Sequence, residues 1–140
     1  MKLLGIDYGR RRIGIAVTDE TGTIIRGLTT IDKNTIHDPV SEILKIIANE
    51  QPSDLIVGLP LDENNYETEM SGEVRTFIKK IEEQITLPVH FVDESYSSIK
   101  ASGLLLYRKK KDRRKKTNVD RIAACVIIDT FIKEQNPGFI

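Results

Sequence analysis

Leu3, Leu4 and Ile6 form a short apolar run that breaks at Asp7. After Gly9-Arg10-Arg11, apolar residues return at alternate positions, Ile13, Ile15 and Val17. The first run predicts a buried strand and the second its antiparallel hairpin partner. Gly9 suits the tight connection, since glycine adopts positive φ at little cost. Ile24 to Thr30 predicts a third strand that completes a meander. The period then changes. Val40, Ile43, Leu44 and Ile47 recur at helical spacing and predict a helix from Pro39 to Asn49, opened by one proline and stopped by Pro52. Leu55-Ile56-Val57-Gly58 predicts a fourth, buried strand. Met70, Val74, Phe77, Ile78, Ile81 and Ile85 mark an amphipathic helix, and Val89 to Val92 a fifth strand. Ser97 or Ser98 suits the cap of a helix carrying Ala101, Leu104 and Leu105. Thr117 or Asn118 suits the cap of a last helix, Val119 to Glu134.

The predicted order is β-β-β-α-β-α-β-α-α. A meander followed by strand–helix alternation is an α/β fold, a five-stranded mixed sheet flanked by helices. Right-handed crossovers place the fourth strand beside the first. Residues 1–140 read as a single domain, and 39% hydrophobic residues suffice for a core. No run is long enough to span a membrane, and Met1-Lys2 leads straight into a strand rather than a signal sequence. The expected location is the cytoplasm. Cys125, alone, allows no internal disulfide and is expected to serve packing.

Net charge is zero but unevenly placed. Residues 108–121 hold nine Lys or Arg against two Asp, while the rest holds 12 basic and 19 acidic residues. The run Arg108-Lys109-Lys110-Lys111-Asp112-Arg113-Arg114-Lys115-Lys116 suits a phosphate backbone, although a solvated loop has the same composition. Its position favours function, because it leads into the last helix. Arg10, Arg11 and Arg12 add positive charge beside Asp7. The expected partner is nucleic acid, bound by Arg10, Arg11, Arg12 and the basic run.

Three acids stand out by position: Asp7 at the end of the first strand, Glu94 at the end of the fifth, and Asp120 early in the last helix. A buried acid needs a partner, which a metal ion or a turn's own backbone supplies. On a wheel that turns about 100° per residue, Asp120 shares an azimuth with Ile127 and Phe131 and so points inward. Helix capping explains an acid at Asp120 but not that direction. Carboxylates converging at one sheet edge repel each other, and magnesium, an oxygen-seeking cation, relieves the repulsion. Two such ions about 4 Å apart activate water and stabilise a leaving alkoxide in phosphodiester cleavage. One Cys and two His exclude a structural zinc site.

These residues resemble the YqgF family, also called RuvX, within the RNase H-like superfamily that includes the RuvC Holliday-junction resolvase. The matching pieces are Asp7-Tyr8-Gly9 with Arg12-Ile13-Gly14-Ile15-Ala16-Val17, then Val57-Gly58-Leu59-Pro60-Leu61, then Leu87-Pro88-Val89 with Val92-Asp93-Glu94, and Asp120-Arg121-Ile122-Ala123-Ala124. Together they span nearly the whole chain. The resemblance implies a single RNase H-like domain and a nuclease that matures the 5′ end of precursor 16S ribosomal RNA, with Asp7, Glu94 and Asp120 as catalytic, metal-binding acids. The expected cofactor is Mg2+ or Mn2+, and the expected assembly a monomer or weak homodimer. A Holliday-junction resolvase acting on branched DNA and a non-catalytic nucleic-acid-binding module are the alternatives.

Two departures stand out. Ser95 and Ser97 replace the family's Arg and Thr after the last strand, and the loop Asp62 to Met70 lacks the family's Gly- and Gln-containing pattern. A fifth strand outside the fourth also lies two spacings, about 9.6 Å, from the first. Glu94 must therefore lean inward to join Asp7, with Asp62, Glu63 or Asp93 as competing ligands.

Overall fold

The computed structural model describes residues 1–94 and 116–136. Strands β1 (Leu3–Tyr8), β2 (Arg12–Thr18) and β3 (Ile25–Asp32) form the meander. Helix α1 (Pro39–Glu50), β4 (Asp54–Pro60), α2 (Glu69–Glu82), β5 (Val89–Glu94) and α3 (Lys116–Gln135) follow. The five strands form one mixed sheet in the order β3-β2-β1-β4-β5. The meander pairs are antiparallel, while β4 runs parallel to both β1 and β5. The sequence predicts every described element and the place of β4 beside β1. The fold is RNase H-like. The predicted helix around Leu104, together with Ser95 and Ser97, lies outside the described residues.

Local signals set the helix ends. Asp38 caps α1 by accepting the Ser41 N–H, Pro39 opens the first turn, and Gln51 closes the helix in the left-handed region at φ 52°. Thr68 and Ser71 exchange side-chain and backbone hydrogen bonds in a capping box on α2. The Ser71 hydroxyl also donates to the Pro60 carbonyl, tying this helix start to the end of β4. Helix α3 begins at Lys116, before the predicted caps Thr117 and Asn118. Lysine is a good helix former, so the end of the basic run feeds the helix instead of preceding it.

The sheet separates two unequal layers. On one face Leu4, Ile6, Ile13, Ile15, Val17, Leu55 and Val57 pack against Ile43 and Ile47 of α1 and Val74, Ile78 and Ile81 of α2. On the other face Leu3, Ala16, Ile56 and Val92 meet Ala124, Ile127, Ile128 and Phe131 of α3. Small residues open part of this second face. A Cβ on Gly5 would lie 2.6 Å from Ile128 Cγ1 and 2.9 Å from the Ala124 carbonyl oxygen. Cys125 is half-buried beside this layer, and burial raises its thiol pKa, in keeping with a packing role.

Candidate active site

Alternation along the strands puts Asp7 and Glu94 on the face covered by α3. Asp7 follows Leu3 and Gly5 on β1, and Glu94 follows Val92 on β5. Asp7 sits opposite Gly14 of β2. Gly14 lies directly under α3, where an added Cβ would fall on the Asp120 carbonyl oxygen. This missing side chain lets the helix descend until Asp120 stands beside Asp7. The proximity registers electrostatically: burial first, and then the Asp120 charge, push the Asp7 carboxyl up to about 7.

Glu94 solves the spacing problem through another glycine. Between β1 and β5 lies β4, and its Gly58 faces α3. The Glu94 carboxylate lies across Gly58: an added Cβ there would meet Glu94 Oε2 and come within 2.6 Å of Ile127 Cδ1. The side chain therefore leans inward over β4 toward Asp7. Burial, followed by the Asp7 charge, pushes Glu94 up to about 8. The competing acids are engaged elsewhere or exposed. Asp62 Oδ1 accepts the Asn64 and Tyr66 N–H groups and shapes its own loop. Asp93 and Glu63 are exposed, and Asp93 alternates to the opposite face from Glu94.

The structure thus brings Asp7, Glu94 and Asp120 to one end of one sheet face. As placed they are neighbours rather than a closed cage: among the described residues no three His, Cys, Asp or Glu side chains enclose a point a metal ion would occupy. The donor set nevertheless fits a divalent cation. It consists of carboxylate oxygens, the ligands that magnesium and manganese favour. Burial, and after it mutual repulsion, raises Asp7 and Glu94, and a bound cation would offset both.

The three consecutive arginines part company. Arg10 bonds Glu73 of α2 at 2.9 Å and Arg11 approaches Asp32 at 3.8 Å, both with exposed side chains. Arg12 turns inward, and its Nε donates to Asp120 Oδ2 at 3.0 Å. The sequence reading misses this ion pair, as it misses the roles of Gly14 and Gly58. The signal lies in β2, where Gly14 and Ala16 alternate with Ile13, Ile15 and Val17: small residues on one face announce a close neighbour, and Arg12 shares that face. Lys109, Lys110, Lys111, Arg113, Arg114 and Lys115 lie outside the described residues, and Lys116 is the first residue of α3.

This geometry meets a direct match at the level of families. The family model for RuvX, a Holliday junction resolvase, matches residues 1–134. The chain belongs to the RuvX family. It is 36% identical over 132 residues to a protein of Maridesulfovibrio salexigens, covering 94% of this chain and 98% of that one. It is 37% identical over 137 residues to a protein of Phocaeicola vulgatus, covering 96% of each. Both relatives carry the name "Putative pre-16S rRNA nuclease". Among solved structures, RuvC of T. thermophilus in complex with Holliday junction substrate superposes with a TM-score of 0.63 at 17% identity, over 99% of this chain and 97% of that one. The fowlpox virus Holliday junction resolvase gives 0.57 at 14% identity, over 96% and 99%. These two likenesses show that RuvX and the resolvases share a fold.

Proposed function

We propose that this RuvX-family chain is a divalent-metal-dependent nuclease that hydrolyses phosphodiester bonds in 5′-end maturation of precursor 16S ribosomal RNA. The observation that carries the reading is the convergence of Asp7, Glu94 and Asp120 from β1, β5 and α3 on one sheet face. The names of the relatives support the RNA substrate. Asp7, Glu94 and Asp120 would hold Mg2+ or Mn2+, which would supply the charge for activating a water and stabilising the leaving oxygen in a two-metal hydrolysis. Asp7 comes from near the end of the central strand β1. Glu94 contributes a longer side chain confined by Gly58 and Ile127. Asp120 approaches from the helix. The basic run from Lys109 to Lys116 would hold the phosphate backbone beside them, in the cytoplasm where precursor ribosomal RNA is processed.

A second reading, resolution of branched DNA, is supported by the description of the family model. The same acids would serve both. The test is cleavage of matched substrates, a precursor-like structured RNA and a four-way DNA junction, each with Mg2+, Mn2+ or EDTA. The proposal expects metal-dependent cutting of the RNA at a higher kcat/KM than of the junction. Faster cutting of the junction would transfer the activity to branched DNA. Tight binding of either without cleavage under any metal would mean a binding module.

A further inference from the structure

Arg12 stands within hydrogen-bond distance of one of the three acids, and its placement asks for a reason. Its Nε meets Asp120 Oδ2 at 3.0 Å, and the two side chains are only 22% and 24% exposed. Arg10 and Arg11, its neighbours, pair at the open surface instead. The fold itself already does part of the work of placing Asp120. The close approach at Gly14 already locates the Asp120 backbone. An aspartate also has just two side-chain torsions to restrict. What Arg12 adds is positive charge, next to a carboxylate that also neighbours Asp7.

We propose that Arg12 is a built-in placeholder for the divalent cation: it holds Asp120 in the metal-free protein and releases it as the cation enters. The inference rests on the reading of the three acids as a cation site. Arg12 then has two opposed effects. It shields the acids from one another without metal, and it lowers the affinity for the cation that displaces it. Its guanidinium is a rigid fork of donors that matches carboxylate and phosphate alike. Once released, it is left at the reacting centre with a fork that fits a phosphate of the bound strand.

The experiment is binding of Mn2+ alone to metal-free protein by calorimetry, with thermal melting in parallel, for wild type, Arg12→Gln, Arg12→Met, Arg12→Lys and Asp7→Asn. Arg12→Gln is expected to bind Mn2+ roughly tenfold more tightly than wild type, because one opposing charge near the dication is gone. Its metal-free form should melt lower and gain more from Mn2+. Arg12→Met keeps the apolar stem packed and should behave alike, so it serves if the Gln variant does not fold. Arg12→Lys retains the charge and should stay closer to wild type. Weaker Mn2+ binding in Arg12→Gln would make Arg12 a positioning residue for Asp120, and equal binding would make the pair structural; either overturns the placeholder. Loss of binding in Asp7→Asn with unchanged affinity in the Arg12 variants sinks this inference alone. No Mn2+ binding by wild type or any variant overturns both it and the metal site.

Discussion

The two faces of the sheet are built to different rules. The face under α1 and α2 is lined by large aliphatic residues, with Leu4, Ile6, Ile13, Ile15, Leu55 and Val57 meeting Ile43, Val74, Ile78 and Ile81. The face under α3 places Gly5, Gly14, Ala16 and Gly58 where the first has bulk. Bulky side chains hold two layers apart and remove much apolar surface from water, which is where folding free energy comes from. Small ones let a helix backbone reach the strands. The α3 face gives up burial for proximity, and its proximity is spent on carboxylates that repel one another. The aliphatic face therefore serves stability alone, whereas the α3 face serves both packing and the acids.

That separation can be broken by substitution. Gly14→Ala should have the largest effect, because the new methyl collides with helix backbone at Asp120 rather than with a movable side-chain tip. We expect a loss near the top of the range for single substitutions, roughly 4–5 kcal/mol, read by urea unfolding, and no cleavage. On the other face Ile78→Ala should cost about 2–5 kcal/mol by leaving a cavity. Its activity per folded molecule should stay at the wild-type level below the melting point. Gly58→Ala should reverse that pattern. Its methyl displaces the end of Glu94 and presses on Ile127 Cδ1, so cleavage should fall on the order of 100-fold for a shift of about 1 Å, with a smaller stability loss than in Gly14→Ala. Equal activity losses in Ile78→Ala and Gly58→Ala would end the division of labour.

A subtler contrast lies in pH. The folded pKa values of Asp7 and Glu94 are raised from 3.8 and 4.5 to about 7 and about 8. Below the unfolded values both states hold the protons, and the fold bears no penalty. As pH rises through the folded values, the native state must ionise groups that the unfolded chain ionised already. Metal-free stability should therefore decline between about pH 4 and pH 8, by on the order of 1 kcal/mol or more. Asp7→Asn should flatten the decline, and a substitution on the aliphatic face should leave its slope unchanged. Denaturant midpoints at a series of pH values in EDTA measure this.

The aliphatic face was legible in the sequence almost residue by residue. The spacing of Val74, Phe77, Ile78 and Ile81 and the alternation of Ile13, Ile15 and Val17 have one physical meaning, a buried stripe. The α3 face was legible only in outline. Position alone singled out Asp7, Glu94 and Asp120, since acids ending buried strands or pointing inward need an explanation. The inward lean of Glu94 followed from the strand spacing, but what permits it, Gly58 on the neighbouring strand β4, did not, because the glycine of Gly58-Leu59-Pro60 also reads as turn chemistry. The Arg12–Asp120 pair joins residues 108 apart in sequence, and local pattern does not say which acid such a contact meets. It could only suggest, from three successive arginines, a common role in binding nucleic acid, whereas the structure sends each to a different acid.

The central claim is that Asp7, Glu94 and Asp120 form one cation-dependent site, and shared ligation is its direct test. The measurement is thermal melting of wild type, Asp7→Asn and Asp120→Asn, each with EDTA and with saturating Mn2+ or Mg2+. A ligand that binds only the native state raises its stability in proportion to the logarithm of its concentration over Kd. The account predicts a metal-induced rise in wild type that shrinks in both variants, together with a higher metal-free melting point for Asp7→Asn, which sheds a buried repelling charge. A full metal response in Asp120→Asn, with its metal-free melting point lowered, would make Asp120 a helix-end stabiliser and contradict the three-acid site.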